Sequence, residues 1–526
     1  MGSVSHHRQS IDLSHHINRK SKSRHPSPLK EIVRFMGVEG MVSLAGGLPH
    51  QSLFPIEQAT IQTLPPVPSL SAAGEIQRSA DDVVSMTLGR GSTPGDLDLS
   101  SFLQYGNGAG NKHLLEIVRT ITDRVHAPPC QDYEVLLNAG NTNAWAKVVD
   151  LLCEDGDMVL VEEYTYPSAQ AYSTPLGVKA VAVPSDANGI RADKLREVLT
   201  QWDETERGSR RPRILYMVTV GSNPTGVTIS AQRSKEIYDV CVEFDIIIVE
   251  DDPYYFLQYS SFKPETSHII EPKLATDDFL QSLAPSILSI DTQGRVIRLE
   301  SFSKTIFPGL RLGYFVANPV FIERLHRAAE VDTQDPAGLS QAFALALLQK
   351  WGIDGYLDWM QTLRTQYRVR RDWLLAAFCQ SFDAVLPAAE SPLPDAQGSV
   401  VCLRKADGQL VPVFSFVDPT AGMFVWTKFY FGGVPRFAEL AKDEKASADP
   451  ERAFENELWM AWVQELVLLT AGSYYHPWQG KDKVTTKERG AQPETANFRF
   501  SFATPSKEQI ELGVERMKKV VCKYWL

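Results

Sequence analysis

Five short apolar runs, each ending abruptly in polar residues, constrain the fold of this chain more than any other feature of its sequence. They lie at 135–137, 158–161, 214–218, 246–249 and 296–299, and helical patterns alternate with them. Strands that are apolar on both faces and alternate with helices are typical of a mostly parallel sheet. Ligand groups gather at the carboxyl ends of such strands. The sequence therefore predicts an α/β fold with its unusual residues at that edge.

Size and composition narrow the class of protein. A chain of 526 residues, 43% hydrophobic and 22% charged, has the composition of a soluble globular protein with two or three domains, or one large domain with a satellite. The net charge of −11 argues against nucleic acid as a partner, because gripping nucleic acid needs a basic face. The sequence contains no run of about 18 apolar residues, so we expect no membrane span. Six scattered cysteines without a CxxC pair indicate reduced thiols and a cytoplasmic protein.

The domain organisation follows from shifts in composition. We expect an N-terminal arm at 1–40, a segment at 41–104, a large domain at 105–345 and a small domain at 346–526. Tracts rich in Pro, Ser, Gly and Asp at about 63–100, 388–412 and 432–452 are interpreted as similar insertions with little structure of their own. In the arm, a basic run at 19–24 has two interpretations: a nuclear localisation signal or a solvated segment, and we favour the solvated segment. Two His-His pairs there are interpreted as incidental surface residues rather than metal ligands.

Lys304 is the first candidate for chemistry. The segment Ser301-Phe302-Ser303-Lys304 follows the last apolar run, and Arg311 comes seven residues after the lysine. A partly desolvated lysine at the mouth of a sheet is a nucleophile toward an aldehyde. The hydroxyls of Ser301 and Ser303, with Arg311, suit a phosphate dianion. Taken alone, however, this lysine is more typical of a strand-to-loop residue in a surface salt bridge.

Asp251 changes that balance. It ends a very apolar run, where an unpaired carboxylate is costly, so it needs a cationic partner such as a protonated pyridine nitrogen. Tyr254 and Asn223 are candidates to donate hydrogen bonds to an oxygen on the same ring. The alternatives are an aspartate that caps a helix or turn, and an NPTG segment that is simply a good turn.

Three further segments complete the candidate site. Gly140-Asn141-Thr142, between a strand and a helix, offers backbone N–H groups and a helix dipole to a phosphate. Tyr166 is placed to lay its ring against a flat cofactor, although core packing is the commoner role of such a tyrosine. Arg499, on an alternating strand near the C-terminus, is the expected clamp for a substrate carboxylate.

The order of these segments resembles a known family. The segments in question are NAGNTNA, EEYTYPS, SNPTG, EDDPYY, SFSKTIFPGLRLGY and NFRFSF. They are similar to the fold-type I, pyridoxal-phosphate (PLP) dependent aminotransferases of class I and II. Residues 11–16, 24–28 and 43–49 resemble the branch of fungal aromatic and kynurenine/α-aminoadipate aminotransferases. The resemblance runs from about residue 11 to the end and implies an aspartate aminotransferase-like fold, with a mostly parallel large domain and a smaller α+β domain.

The resemblance also implies roles for the candidate residues. Lys304 is then the Schiff-base lysine that moves the proton at the substrate Cα, Asp251 holds the pyridinium, and Tyr166 stacks on the ring. Asn223 and Tyr254 contact the ring oxygen, and Arg499 binds the α-carboxylate. The phosphate ligands implied are Asn141, Thr142, Ser301, Ser303 and Arg311. Gly46 and Gly47 line the substrate side chain, and Tyr105 reaches the phosphate of the neighbouring subunit, which implies a homodimer with shared sites.

The function predicted is amino transfer between an amino acid, aromatic or else 2-aminoadipate or kynurenine, and a 2-oxo acid such as 2-oxoglutarate. No metal is expected. The same lysine and arginine also serve a C–S lyase or another β-eliminating enzyme, which is the alternative. A PLP-sensing regulator is disfavoured because only about 30 polar residues precede the aminotransferase-like part. That length leaves no space for a DNA-binding domain.

Overall fold

The structure is a computed structural model. It describes residues 8–28, 32, 35, 38–45, 47–71, 73–79, 82–91, 97–266, 269–393, 395–443, 448–477 and 484–526. Its helices within these residues are α1 (Arg19–Lys22), α2 (Leu99–Leu103), α3 (Lys112–His126), α4 (Asn141–Leu152), α5 (Pro167–Ser173), α6 (Ala192–Thr200), α7 (Glu204–Arg207), α8 (Ala231–Glu243), α9 (Thr276–Gln281), α10 (Pro319–Asp332), α11 (Gly338–Ser381), α12 (Pro435–Leu440), α13 (Pro450–Gln464) and α14 (Lys507–Trp525). Helix α11 is kinked where Gly352 leaves helical geometry.

Several helices form where an apolar stripe recurs at helical spacing and a polar residue caps the start. In α3, Leu114, Val118 and Ile121 are buried on one face. The Asn111 side chain accepts the N–H groups of His113 and Leu114, which supplies the partners that the first turn lacks. None of the helices in the described residues is long and apolar enough to cross a membrane.

A seven-stranded sheet, here called the large sheet, forms the centre of the molecule. Its strands are β3 (Glu134–Asn138), β4 (Met158–Glu162), β5 (Lys179–Val183), β8 (Ile214–Met217), β9 (Ile247–Asp251), β10 (Val296–Ser301) and β11 (Gly313–Ala317). The order across the sheet is β3-β11-β10-β9-β8-β4-β5, and only β11 runs antiparallel to its neighbours. The predicted mostly parallel α/β fold is therefore confirmed, with the five apolar runs as β3, β4, β8, β9 and β10.

A second sheet of six antiparallel strands, here called the small sheet, packs with the C-terminal helices. It contains β12 (Ala384–Pro387), β13 (Ser399–Arg404), β14 (Leu410–Phe416), β15 (Phe424–Tyr430), β16 (Thr470–Ala471) and β17 (Thr495–Ser501). Two short pairs stand apart from both sheets: β1 (Gln58–Thr63) with β2 (Val84–Gly89), and β6 (Ser185–Asp186) with β7 (Gly189–Ile190). Separate apolar clusters cover the two faces of the large sheet, and a third lies against the small sheet.

Two expectations need correction. The tract at 63–100 contains strand β2, which pairs along its whole length with β1 and buries Met86 and Leu88, so it is not without regular structure. The tract at 388–412 likewise supplies β13 and the start of β14, and the tract at 432–452 contains α12. The interpretation of His16 as a surface residue is also wrong, because its ring is buried against Asp245. Burial lowers the pKa of His16 to about 4. The predicted domain boundaries stay a prediction.

Candidate functional site

Most of the predicted site residues meet at the edge of the large sheet where β3, β4, β8, β9 and β10 end. Ser301 closes β10, and the turn that follows carries Lys304, which is half-buried. Burial, and then the nearby charge of Arg311, lower the pKa of Lys304. A lower pKa leaves more of the amine unprotonated at neutral pH, which a nucleophile or a base requires.

Asp251 lies at the end of β9 and is only 7% exposed. The hydroxyl of Tyr216 donates to its Oδ2 at 2.7 Å, and Nδ2 of Asn141 donates to its Oδ1 at 2.6 Å. Burial raises the pKa of Asp251 to about 6 in spite of these two donors. A cation placed beside this carboxylate would stabilise its ionised form.

The contact with Asp251 alters the prediction for Asn141 and adds a residue that the sequence analysis missed. The Asn141 amide is directed to Asp251 and to the Leu299 carbonyl, not toward a phosphate position. Its Oδ1 is buried and has no partner among the described residues. Tyr216 was overlooked because it lies inside an apolar run. Tyr216 could have been found because it lies on β8, the strand next to β9, and a buried phenol hydroxyl needs a hydrogen-bond partner.

Arg311 and Gly140 form a cradle at the start of α4. Gly140 has φ of 91°, and a Cβ atom there would lie 2.5 Å from Nη2 of Arg311, so the close approach requires glycine. Arg311 donates to the Ala139 carbonyl at 3.0 Å and to the Ser303 hydroxyl at 3.3 Å. Ser301 donates to Ser303 at 2.8 Å. This guanidinium, these hydroxyls and the first N–H groups of a helix are the donor set that a phosphate dianion requires.

Arg499 faces this edge from β17 of the small sheet. Its Nη1 donates to Oδ1 of Asn223 at 2.6 Å, and its guanidinium lies 4.2 Å from the ring centre of Phe424 and 5.1 Å from that of Tyr475. Its Nε is buried without a partner in the described part of the chain. A half-buried guanidinium with unused donors is suited to bind a carboxylate.

Tyr254 and Tyr166 lie beside Arg499. The buried ring of Tyr254 packs edge-on against Phe424, with 5.9 Å between ring centres. Tyr166 immediately precedes α5 and is half-buried. Burial raises the pKa of Tyr254 and of Tyr475, and the nearby phenol of Tyr166 adds to both shifts. The two tyrosines and Arg499 are therefore brought together as predicted, while Thr142 is exposed in the first turn of α4.

A buried charge cluster supports Asp251 and the loop before Asn223. Arg298 is fully buried, and its guanidinium pairs with Glu250 at 2.8 Å, Asp252 at 3.1 Å and Glu300 at 2.6 Å. Asp252 in turn accepts the N–H groups of Thr219 and Val220. The sequence analysis missed this cluster, although the acids and the arginine in otherwise apolar strands were a signal that buried charges must pair. Asp251 with its two donors, this cluster, and Lys304 and Arg311 after β10 are called the sheet floor below.

The N-terminal candidates lie elsewhere. Tyr105 is 63% exposed and lines a separate cavity of about 550 Å³, together with Phe54, Gln104, Asn111 and Gln341. Neither Lys304 nor Arg499 is among the described residues that line it. Gly47 is exposed, and Gly46 lies outside the described residues. Nearby, Val42 is 80% and Leu44 96% exposed. Val42, Leu44, Gly47 and Tyr105 are called the N-terminal rim below.

Comparisons with known proteins agree with this geometry. Residues 96–517 match the family described as aminotransferase class I and II. An aromatic amino acid aminotransferase of Schizosaccharomyces pombe is 34% identical over 520 residues, covering 98% of each chain. An L-tyrosine:2-oxoglutarate aminotransferase of Serpula lacrymans is 32% identical over 474 residues, covering 88% of this chain and 84% of that protein. The crystal structure of the aminotransferase Aro8 from Candida albicans superposes with a TM-score of 0.83 at 32% identity, covering 98% of this chain and 99% of that one.

Fold, site and comparisons together define a PLP-dependent aminotransferase. The chain belongs to the aminotransferase class I and II family. The residues present fit PLP: a half-buried lysine for the aldehyde, a buried carboxylate for the ring nitrogen, and a cradle that a Cβ at Gly140 would fill. The relatives described here are aminotransferases, and they give no support to the β-eliminating alternative.

Proposed function

We propose that this enzyme transfers the amino group of an aromatic amino acid to a 2-oxo acid such as 2-oxoglutarate. The observation that carries the proposal is the convergence of Lys304, Asp251 and Arg499 at one edge of the large sheet. The names of the relatives from Schizosaccharomyces pombe and Serpula lacrymans support the donor and acceptor classes. The rings of Phe424 and Tyr475 beside Arg499 agree with an aromatic donor.

Lys304 is the proposed base at the substrate Cα. PLP, when bound, takes up the electron pair that Cα retains when its proton leaves. Burial and the charge of Arg311 keep part of the Lys304 amine unprotonated, so that it can accept the Cα proton and later return one. The same residue is the amine that holds the cofactor when no substrate is bound.

The cofactor ring and phosphate are assigned to residues on the strand ends. Asp251 holds the ring nitrogen protonated, because its buried carboxylate is stabilised by a cation. Asn223 and Tyr254 are assigned to the ring oxygen, and Tyr166 to one face of the ring. The phosphate is assigned to Thr142, Ser301, Ser303 and Arg311, and to the backbone N–H rather than the side chain of Asn141.

Arg499 is the proposed clamp for the α-carboxylate of both substrates. Asn223 positions it by accepting from Nη1, and the buried Nε is free to take part in a two-pronged contact. Binding the α-carboxylate here orients the substrate, so that its side chain extends toward Gly46 and Gly47, the glycines predicted to line it. Kynurenine and 2-aminoadipate remain alternative donors for the same clamp.

A donor panel tests this proposal. Holoenzyme is mixed with single amino acids, and the visible absorbance of the cofactor is followed as the amine is transferred, with glutamate formation from 2-oxoglutarate as the second readout. Tyrosine, phenylalanine and tryptophan are expected to react faster than aspartate or alanine. Faster reaction of an aliphatic donor would contradict the aromatic assignment. Release of pyruvate and a thiol from a cysteine conjugate, without any 2-oxo acid, would instead support the lyase.

A homodimer with shared sites is proposed as the working form, in the cytoplasm. The support is the N-terminal rim: Leu44 and Val42 expose apolar side chains, and exposed Tyr105 lines a cavity whose described lining does not include Lys304. Sedimentation velocity is expected to give twice the mass of one chain. A Leu44→Asp variant is expected to weaken association, and an unchanged dimer would contradict the proposed interface. Fractionation of cells expressing the tagged protein tests the compartment.

A further inference from the structure

A second cavity, of about 370 Å³, lies between the two sheets, and the aminotransferase site does not account for it. Its walls come from Glu163 and Tyr164 after β4, from Trp426 and Lys428 on β15, and from α13 and the segment at 485–492. This volume falls within the range of about 300–1,000 Å³ that is typical of small-molecule sites. Of the described residues that line it, none is Lys304, Asp251, Asn223 or Arg499.

An aromatic wall separates this cavity from the substrate clamp. Trp426 pairs with Arg499 in the register of β15 and β17, and its ring packs against Tyr164 at 4.9 Å and Tyr475 at 5.8 Å between ring centres. Tyr475 in turn contacts the Arg499 guanidinium. The cavity is therefore one aromatic layer away from the clamp.

Two groups of opposite charge in the cavity each have one buried atom without a hydrogen-bond partner in the described residues. Glu455 on α13 is 3% exposed, and its Oε1 accepts the N–H of Ser473 at 3.0 Å, while Oε2 has no partner among the described residues. Arg489 donates from Nη2 to Thr486 at 3.2 Å, while its buried Nη1 is unpaired in the same described part. A buried carboxylate oxygen and a buried guanidinium nitrogen without partners are costly unless a ligand satisfies them.

The two groups are close in space but do not bond to each other. Burial raises the pKa of Glu455, and hydrogen bonding by Ser473, followed by the charges of Arg452 and Arg489, partly offsets that shift. Nevertheless, no ion pair joins Glu455 to Arg489 in the residues that the structure describes. Other charges in the cavity have their own contacts, such as Asp186 with Arg233 and Lys428 with Gln492. The Glu455 carboxylate, an acceptor, and the Arg489 guanidinium, a donor, therefore both face this cavity without bonding to each other.

We propose that this cavity binds a free α-amino acid as a zwitterion, separately from the substrate site. Glu455 Oε2 accepts from the ammonium group, Arg489 Nη1 donates to the carboxylate, and the side chain lies along Tyr164 and Trp426. A ligand with only one of these charges leaves the other buried group unpaired, and this gives the site its specificity. Because the walls come from both sheets, a bound amino acid touches both.

Equilibrium dialysis with the substrate site filled tests the proposal. The enzyme is loaded with N-(5'-phosphopyridoxyl)-L-phenylalanine, which occupies the cofactor position and Arg499 together, and is then dialysed against radiolabelled L-phenylalanine. One L-phenylalanine is expected to bind per chain. Glu455→Gln and Arg489→Gln are each expected to weaken that binding at least about tenfold, because each removes a charge-assisted hydrogen bond.

The matched control is Glu457→Gln, on the same helix, whose side chain pairs with Arg436 outside the cavity. This control is expected to bind L-phenylalanine as the unmodified protein does. All three variants are expected to keep their turnover within about twofold of the unmodified enzyme, and this retained turnover shows that they fold. The absence of saturable binding would overturn the proposal. Equal binding of 3-phenylpropionate, which lacks the amine, or equal weakening by Glu457→Gln would overturn it as well.

Discussion

The sheet floor and the N-terminal rim differ in how far one chain completes them. On the floor, Arg298 and its three acids are buried and form ion pairs with one another, and Asp251 has two donors of its own. At the rim, Leu44 is 96% and Tyr105 63% exposed. A single chain thus builds the part of the site that holds the reacting atoms. The part that surrounds the substrate requires, in our proposal, a second copy.

The largest test of the floor is Lys304→Ala. Without the amine the enzyme loses both its attachment to PLP and its base at Cα, so turnover is expected to fall by at least about 10⁴-fold. The measurement is glutamate formation from 2-oxoglutarate and tyrosine. Lys112→Ala, at an exposed lysine of α3, is the control and should retain full activity. If the Lys304 variant kept turnover within tenfold, the floor would not be the reacting part.

Asp251→Asn tests whether the floor is buried, through the pH dependence of the free energy of unfolding. The pKa of Asp251 is raised to about 6 by burial, so the folded cofactor-free protein holds this proton more tightly than the unfolded chain does. The stability that this proton contributes is fully present below about pH 4 and is lost as the pH rises to about 6. The loss amounts to about 3 kcal/mol, since one pKa unit corresponds to about 1.4 kcal/mol.

Urea unfolding of both cofactor-free proteins from pH 4 to 7 measures this effect. The stability of the unmodified protein relative to the variant should fall across that range, because asparagine does not ionise. Parallel pH profiles for the two proteins would show that Asp251 is not buried as described.

Arg499→Gln tests the side of the site that the small sheet contributes. Loss of a charged, two-pronged contact is expected to lower kcat/KM for both amino acid and 2-oxo acid by about 100-fold, mainly through KM. The exposed Arg436→Gln on α12 should behave like the unmodified enzyme. An effect on kcat alone would mean that Arg499 does not bind the substrate carboxylate.

Tyr105→Phe tests the rim with the smallest expected effect. The variant lacks the Tyr105 hydroxyl that is proposed to donate to the PLP phosphate. Its loss is expected to weaken PLP binding about tenfold, as measured by titration of the cofactor-free protein. Mixed dimers sharpen the comparison. When the Tyr105→Phe and Lys304→Ala chains are combined, sites that pair Lys304 with a Tyr105 from the other chain should bind PLP as the unmodified enzyme does. Weak binding in every mixed site would contradict sharing.

The floor was largely predictable from sequence, and the rim was not. Asp251, Lys304 and Arg311 follow apolar strands, and strand ends in a parallel sheet converge, so their meeting follows from the pattern. Tyr216 and Arg298 were missed because a polar atom inside an apolar run finds its partner on a neighbouring strand, which sequence order does not show. Strand β2 was missed because Pro and Gly around it mask its alternation. In our proposal, Tyr105 and Gly47 act through contacts with a second chain, which the strand pattern of one chain does not predict.

The central claim is that Lys304 is the residue that carries PLP, and peptide mapping after borohydride reduction tests it most directly. Holoenzyme is reduced, digested and analysed by mass spectrometry. The account predicts that the pyridoxyl-phosphate mass is found on the peptide containing Lys304, and that prior addition of tyrosine lowers its yield. Labelling of a different lysine, or equal labelling of many, would contradict it.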